Sequence, residues 1–415
     1  NHDAQGLTCV AEPLTIKACS DEACTDTIST STDVQIFAND VLKTTITVTG
    51  ETATDFNHLV AETITLSSDQ TYTCNNGSDT SCDISFANAG FVLDVNSGSD
   101  VSSCESVNFE IKAVKLSDSG VSCAPAFTGG QALDFSFNYS NPTVGTKLPL
   151  LNATSMATAG QIETRTITFD ANGEATLPIE YDDAGTLSFT LSENISSGVT
   201  SSTISKDFYP SKIVVTAKKE DGVLLNNATS SDDPKQVAGG DFNLSFSGQC
   251  SDNTETLNYQ PQSSTALELA VRHILPSSVT SVLGDLTVEG TLINATESAN
   301  TVWQSINTTE KELVASYSEV GVVSISLKDT DYLGNEINTL SFIDVGRFYP
   351  SYFEVSIDHG SFQNASGLDS TPFTYIGMPF GYAYQPIITI TAKNYDRETT
   401  KNYTETSFQK LKEAN

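Results

Sequence analysis

The amino-acid sequence predicts an all-β protein with several β-sandwich domains in tandem. Its 415 residues are too many for one hydrophobic core, so we expect roughly two to four domains. Aromatic and β-branched residues are frequent, and Gly, Ser, Thr, Asn and Asp interrupt them every few positions, which is typical of short strands joined by turns. The stretch 264–275 has some helical character, but Leu267, Leu269 and Val271 alternate on one face, and we predict a strand there.

A phrase of eleven residues occurs twice: DFYPSKIVVTA at 207–217 returns as RFYPSYFEVSI at 347–357. In both copies apolar residues alternate after Phe-Tyr-Pro-Ser, which predicts a half-buried strand preceded by Pro. Segments 242–261 and 387–405, which follow the two copies, also match each other. We interpret the phrase as the start of a domain, with its aromatic pair packed in the seam between two domains.

A second repeat places an aromatic residue four positions before a Gly, at 86–90, 181–185 and 317–321. In immunoglobulin-like sandwiches a Tyr at the corner before the penultimate strand hydrogen-bonds to nearby backbone, and Gly permits the tight turn. The pattern therefore predicts tandem immunoglobulin-like β-sandwiches.

These repeats predict four domains. The boundaries are a β-sandwich with local disulfides at 1–103, immunoglobulin-like domains at 104–207 and 208–346, and a further domain at 347–415 that resembles 208–346. The last copy reaches Asn415 without a corner motif of its own, so we expect only its first half here. The missing strands would come from a longer native polypeptide or from a neighbouring subunit that donates strands.

Eight cysteines in a β-rich chain indicate an oxidising compartment. Short separations predict three local disulfides: Cys19–Cys24, Cys74–Cys82 and Cys104–Cys123. Cys9 and Cys250 are left with three alternatives: a bond to each other, a bond to a residue outside this sequence, or none. A zinc site is the rival interpretation, but the sequence has no CxxC motif and no His beside a Cys.

The charge balance limits the partners that this chain can bind. With 52 acidic and 20 basic residues the formal net charge is −32, which opposes binding to nucleic acid and to anionic membranes. No apolar run approaches the roughly 18 residues that a membrane helix needs. Neither an initiator Met nor a charged-then-apolar leader is present, so we expect a processed or trimmed piece of an exported protein.

Candidate sites are few. The four histidines, His2, His58, His273 and His359, lie in different segments without a catalytic motif, which predicts that the protein is not an enzyme. Two acidic loops are candidate calcium sites. Their residues are Asp94, Asn96 and Asp100, with Glu105 at the twelfth position of the loop, and Asp329 and Asp331 in a second loop. A plain linker explains the first loop and a hairpin turn the second, and both alternatives stay open.

The sequence resembles a known family from His2 to Leu411. The segments that carry the likeness are HDAQGLTCVAEPLTIKACSDEAC, ISFANAGFVLDV, NFEIKAVKLSDSGVSCAPAF, FYPSYFEV and the closing FTYIGMPF and ITITAKNYDRETTKNYTETSFQKL. In this order they resemble the large C-terminal region of MshQ-type proteins, exported bacterial proteins associated with the mannose-sensitive haemagglutinin type IV pilus. The resemblance implies a surface or pilus-associated role and supplies no catalytic residues.

Two functions fit these observations. The first is a non-enzymatic extracellular structural protein, a stalk or tip component of a bacterial pilus or surface filament whose partners are other filament subunits. The alternative is a surface adhesin that binds glycans directly. Sugar platforms usually expose several aromatic side chains, and the single tryptophan, Trp303, weighs against the alternative.

Overall fold

The computed structural model divides the chain into two compact units, Asn1–Phe208 and Tyr209–Asn415. No helix among the described residues has the length and apolar character needed to cross a membrane. The residues that the structure describes are 1–2, 4–21, 24, 26–76, 80–120, 122–194, 199–277, 281–293, 301–362, 376–377, 379 and 381–404.

The described residues of the first unit form eighteen strands and one short 3-10 helix at Asn96–Gly98. The strands are β1 Gln5–Leu7, β2 Glu12–Lys17, β3 Thr32–Ala38, β4 Val41–Val48, β5 Glu51–Phe56, β6 Thr63–Ser68, β7 Asp83–Ala87, β8 Ala89–Val95, β9 Val101–Ser102, β10 Val107–Leu116, β11 Cys123–Pro125, β12 Gly129–Asn141, β13 Leu150–Leu151, β14 Thr154–Ser155, β15 Glu163–Phe169, β16 Glu174–Glu180, β17 Gly185–Glu193 and β18 Ser202–Tyr209.

Two domains make up this unit. Domain A (1–88) has a sheet of order β1-β7-β6-β3-β4 and the pair β2-β5, while domain B (89–208) has sheets of order β11-β10-β16-β13-β14 and β15-β12-β17-β18-β9. Strand β8 pairs with β10, and Phe91, Val95 and Val101 are buried in the core of domain B. The predicted boundary at residue 103 is therefore wrong by two strands, because residues 89–102, which contain β8 and β9, belong to the second sandwich.

In the part of the second unit that the structure describes there are sixteen strands and one short 3-10 helix at Asn402–Thr404. The strands are β19 Lys212–Lys218, β20 Gln236–Val237, β21 Asp241–Gln249, β22 Glu255–Thr256, β23 Leu267–Leu275, β24 Leu286–Val288, β25 Thr291–Ile293, β26 Gln304–Ser305, β27 Glu312–Tyr317, β28 Gly321–Tyr332, β29 Asn335–Asn338, β30 Ile343–Tyr349, β31 Tyr352–Asp358, β32 Ser361–Phe362, β33 Tyr382–Tyr384 and β34 Ile387–Lys393.

Domain C (209–349) is a sandwich of two sheets, β19-β21-β27-β24-β25 and β20-β30-β28-β23-β26. The predicted strand at 264–275 is β23, and Leu267, Leu269 and Val271 are fully buried. Domain D (350–404) consists of two separate pairs among the described residues, β31-β34 and β32-β33.

The repeated Phe-Tyr-Pro-Ser phrase ends one domain as well as starting the next. Phe208 and Phe348 lie in the last strands of domains B and C, and Pro-Ser connects these strands to β19 and β31. Both Phe rings are fully buried. The prediction that the aromatic pair fills a seam between domains is therefore wrong for these two Phe residues, which complete the cores of their own domains.

The corner repeat and the phrase meet in space. In domain C, Gly321 pairs with Phe348, whose ring packs 5.1 Å from the ring of Tyr317, and the Tyr317 hydroxyl accepts a hydrogen bond of 3.1 Å from the Gly284 N–H. Gly321 has a φ of 137°, and a Cβ there would overlap the carbonyl oxygen of Leu275. The corner thus requires Gly for both conformation and space.

Domain B repeats this arrangement. Gly185 pairs with Phe208, and the ring of Phe208 packs 5.4 Å from that of Tyr181. A Cβ on Gly185 would overlap the Asn141 carbonyl oxygen, as one on Gly321 would overlap that of Leu275. The corner and the phrase are therefore one structural unit, written twice in the sequence.

Disulfides connect Cys19 to Cys24, Cys74 to Cys82 and Cys9 to Cys123. The first two are predicted pairs. The predicted pair Cys104–Cys123 is wrong because Cys104 precedes β10 while Cys123 pairs with Leu116 at the far end of that strand. The nine residue steps from Val107 to Leu116, at about 3.3 Å each, make β10 roughly 30 Å long, and the two cysteines lie at its opposite ends. Neither Cys104 nor Cys250 is a free thiol.

We predict that the bond between Cys9 and Cys123 stabilises the protein more than the bond between Cys19 and Cys24. The two bonds span sequence separations of 114 and 5 residues. The chain-entropy relation assigns about 5 and about 2 kcal/mol to such loops. Denaturant unfolding of Cys9→Ser/Cys123→Ser and of the control Cys19→Ser/Cys24→Ser measures both values, and equal losses would contradict the prediction.

We predict that Gly321→Ala lowers the free energy of unfolding by about 3 kcal/mol or more, because the added methyl overlaps the Leu275 carbonyl in a strained conformation. Gly334→Ala is the control. Gly334 has a φ of 81° and open space around its Cβ position, so only the conformational cost of about 1–2 kcal/mol applies. Thermal unfolding of both variants measures the difference.

Candidate functional site at the joint between domains C and D

Three of the four histidines make hydrogen bonds in separate parts of the chain. His2 contacts the Ser81 carbonyl, His58 pairs with Glu62 at 3.0 Å, and His273 contacts the Pro276 carbonyl. These contacts hold loops next to their strands. These hydrogen bonds give the imidazole rings of His2, His58 and His273 structural roles.

The first candidate calcium loop is held by its own hydrogen bonds. The Asp94 carboxylate accepts a bond of 2.9 Å from the Gly98 N–H, and the Asn96 amide donates to the Asp100 carbonyl at 3.0 Å. Within the described ranges, no group of three side chains placed to share a metal includes Asp94, Asp100 or Glu105. Calcium at this loop stays a prediction.

In the second candidate loop, Asp329 is fully buried and Asp331 is exposed. The Asp329 carboxylate accepts bonds from the Tyr259 hydroxyl at 3.0 Å and from the Asp331 N–H at 3.2 Å. Burial raises the pKa of Asp329, and the two donors act against this rise. Calcium at Asp329 and Asp331 also stays a prediction, and it would have to displace these donors.

Domains C and D are joined through a buried carboxylate, Glu319, in the corner motif of domain C. Its oxygens accept hydrogen bonds from the backbone N–H groups of Val320 at 2.8 Å, Lys401 at 2.7 Å and Asn402 at 3.1 Å. The last two donors belong to domain D. Burial raises the pKa of Glu319, and the backbone donors oppose that effect.

Asn402 makes the matching contacts from domain D. Its side-chain oxygen accepts from the Val282 N–H at 2.9 Å, and its amide donates to the carbonyls of Val282 at 2.8 Å and Val320 at 3.2 Å. Asn394 adds a bond to the Ser318 carbonyl at 3.1 Å. Since Glu319 and Asn402 are both buried and both fully hydrogen-bonded, this polar network fixes one arrangement of the joint.

An apolar contact lies beside the polar network. Tyr403 packs with Val320 and Ala392 in one buried cluster, and its ring lies 5.2 Å from that of Phe353. A cavity of about 200 Å³ remains between Pro350, Phe353 and Tyr403. The joint therefore combines a hydrogen-bonded network with a small hydrophobic core of its own.

Sequence reasoning missed the role of Glu319 and Asn402, although two signals were present. An acidic residue stands two positions after the corner Tyr in both sandwiches, and Asp183 accepts from the Ala184 N–H at 2.8 Å as Glu319 does from Val320. The final Asn-Tyr of the repeat 387–405 was the second signal.

The fold and the joint define a class: a multidomain immunoglobulin-like β-sandwich protein with a hydrogen-bonded joint between domains C and D. Residues 71–207 match the first Ig-like domain of the family DUF6701, a domain of unknown function, and residues 319–415 match the third domain of DUF6701. Residues 1–89 match DUF8613, also a domain of unknown function. No curated protein has a significant match to this sequence.

Similar solved structures include bacterial adhesins. The Yersinia pseudotuberculosis adhesin InvE has 16% identity over 63% of this chain and 60% of its own, with a TM-score of 0.28. Invasin, a bacterial integrin-binding protein, has 11% identity over 85% of this chain and 60% of its own, with a TM-score of 0.27. The Escherichia coli adhesin FdeC has 11% identity over 83% and 94%, with a TM-score of 0.28.

We predict that Glu319→Ala loosens domain D from domain C. Three backbone N–H groups lose their acceptor, and each costs about 1–3 kcal/mol if it stays buried. Hydrogen exchange should become faster at Lys401 and Asn402 while β28 stays protected. Glu312→Ala, an exposed carboxylate of the same domain, is the control. Equal exchange at Lys401 and Asn402 in both variants would exclude the proposed role of Glu319.

We predict a pH-dependent effect of Asp329→Asn. Because the pKa of Asp329 is raised from its ordinary value of 3.8, its contribution to the free energy of unfolding is fully present below that value. The contribution is lost as pH rises through the folded-state pKa. Wild type should therefore lose stability relative to the variant as pH rises above 3.8. Asp241→Asn, an exposed carboxyl of the same domain, is the control for urea unfolding.

The calcium prediction is tested by thermal unfolding with excess Ca²⁺ and with excess EDTA. An ion that binds only the folded chain raises Tm by mass action, so EDTA should lower it. Asp94→Asn and Asp331→Asn assign the effect to one loop. An unchanged Tm in EDTA removes both candidate sites.

Proposed function

We propose that this protein is a non-enzymatic extracellular structural protein that acts as a stalk or tip component of a bacterial pilus or surface filament. The observation that carries the proposal is the fixed joint at Glu319 and Asn402, which holds domain D to domain C without a flexible linker. A protein that presents a tip or transmits force needs such joints. The disulfide between Cys9 and Cys123 supports it, because it ties domain A to domain B covalently.

Composition supports an exported location. Disulfides form and persist in oxidising compartments, and a net charge of −32 keeps a large β surface soluble. Similarity in fold to bacterial adhesins and the resemblance to MshQ-type proteins agree with a surface role. Other subunits of the filament are the partners that we propose.

The test locates the native protein on cells and measures the flexibility of the joint between domains C and D. Immunogold electron microscopy with antibodies against the full chain should label the cell surface or filaments, and protease added to intact cells should remove the signal. Small-angle scattering of the full chain should show greater flexibility in Glu319→Ala than in Glu312→Ala. Recovery of the protein in the cytoplasm, with reduced cysteines, would contradict the proposal.

The alternative, a glycan-binding adhesin, depends on an aromatic platform. The ammonium group of Lys328 lies 4.9 Å from the centre of the Trp303 ring. Lys328 therefore occupies one face of that ring. Lys328 also pairs with Glu268 at 3.1 Å. Binding on a glycan array that is lost in Trp303→Ala would favour the alternative over the structural role.

A further inference from the structure

The disulfide between Cys9 and Cys123 closes a covalent loop of 114 residue steps. Cys9 follows β1, and Cys123 is the first residue of β11. The strands from β2 to β10 lie between the two cysteines. The loop therefore holds the described strands of domain A other than β1, together with β8, β9 and β10 of domain B.

The hydrophobic core of domain A lies inside this loop. Strand β1 pairs with β7 over three residues and supplies no member of the core in the part of the chain that the structure describes. Domain A therefore keeps its core when β1 is pulled away from β7. The buried members of this core are Leu14, Ile36, Ala38, Phe56, Ile64, Leu66, Ile84 and Phe86.

Tension along a polypeptide follows the shortest covalent path between the points where it is applied. Load that enters ahead of Cys9 crosses the disulfide to Cys123 and continues along the chain, because a covalent bond resists forces that break hydrogen bonds and apolar contacts. Residues 10–122 carry none of this load. Forced unfolding is governed by the unfolding rate, and load raises that rate only in the elements that carry it.

Domain B is divided by this path. Its strands β8, β9 and β10 lie inside the loop, whereas β11 and the strands after it lie in the path of the load. The load enters at β11, where Cys123 pairs with Leu116 at the end of β10. Domain B is thus the first domain to bear tension through its own strands.

We propose that the disulfide between Cys9 and Cys123 is a load bypass. When the chain is pulled along its length, the bond keeps domain A out of the path of tension, and domain A stays folded while the later domains carry the load. This inference rests on the proposed function, because a filament component that transmits force meets such tension. The surface of domain A then keeps its folded geometry under load, as a module that presents a binding surface requires.

The two local disulfides differ from this bond in size and position. They connect Cys19 to Cys24 and Cys74 to Cys82, and they span 5 and 8 residue steps. Both lie within residues 10–122, so neither carries load while the bond between Cys9 and Cys123 is intact. Opening a local disulfide should therefore lengthen the stretched chain only after the larger loop has been opened.

The test stretches single molecules of the full chain in optical tweezers, between peptide tags at the two ends. Every chain that is compared carries Cys104→Ala and Cys250→Ala, because neither cysteine is a free thiol and a further bond would also shorten the stretched chain. The reference chain keeps Cys9 and Cys123. The open variant is Cys9→Ser/Cys123→Ser.

The open variant should extend roughly 340 Å further than the reference chain. This length is the 114 residue steps of the loop, less the 5 and 8 steps that the local disulfides still close, at about 3.3–3.6 Å per step. Equal extended lengths would overturn the inference.

Cys74→Ser/Cys82→Ser is the matched control, because it opens a loop inside domain A. The loop has 8 residue steps, and its ends are 5.1 Å apart between Cα atoms. Its opening should lengthen the open variant by roughly 20 Å and leave the reference chain unchanged. An equal gain in both chains would show that load passes through domain A, against the proposal.

A fluorescent antibody fragment that recognises folded domain A reports whether this domain survives under load. It should stay bound to the reference chain after the later domains have been extended, and it should be lost from the open variant at the same load. Loss from both chains would contradict the shielding of domain A.

A second measurement does not require the open variant to fold. Dithiothreitol added to a reference molecule that is already held under load should release at least the same length. No release would exclude the bypass. The stretching experiments use purified protein and do not depend on its place in the cell, so failure of the bypass and failure of the stalk role can be distinguished.

Discussion

Every domain of this protein depends on the same constraint: the apolar face of a β-sheet must be covered. Val215 and Val355 occupy equivalent positions in strands of the same register, yet the first is 1% exposed and the second 56%. The difference lies in the second sheet of domain C. Domains A, B and C each bury an apolar face between two sheets, whereas the described strands of domain D leave one open. The stability of the first three domains has this cause.

The corner motif of domain C has two roles: it completes the core of its own domain and it contacts domain D. Tyr317 and Phe348 pack together at the end of domain C, and Gly321 allows the chain to pass close to the Leu275 carbonyl. Two residues after Tyr317, the carboxylate of Glu319 accepts hydrogen bonds from domain D. The same short segment therefore closes one domain and positions the next. Domain D is therefore hydrogen-bonded directly to the corner of domain C.

Buried polar groups in the second unit select one arrangement of the packed residues more than they add to the free energy of unfolding. Glu319 and Asp329 both lose solvation on folding, and each recovers part of that cost from defined donors. A hydrophobic replacement could pack as well, but it would not select one relative placement of Asn402 and Val282.

The sequence by itself determined what depends on neighbours along the chain. Alternation gave the strand β23 in place of a helix, and the all-β, immunoglobulin-like class is confirmed by the fold. The corner motifs and the short loops of Cys19–Cys24 and Cys74–Cys82 are likewise local. Only the tertiary structure decided that Cys9 bonds to Cys123 and that residues 89–102 belong to domain B. It also decided that the Glu319 carboxylate accepts a hydrogen bond from the Asn402 N–H. Strand register and sheet packing bring these residues together across long sequence separations, and a pattern of period two carries no information about which strands become neighbours.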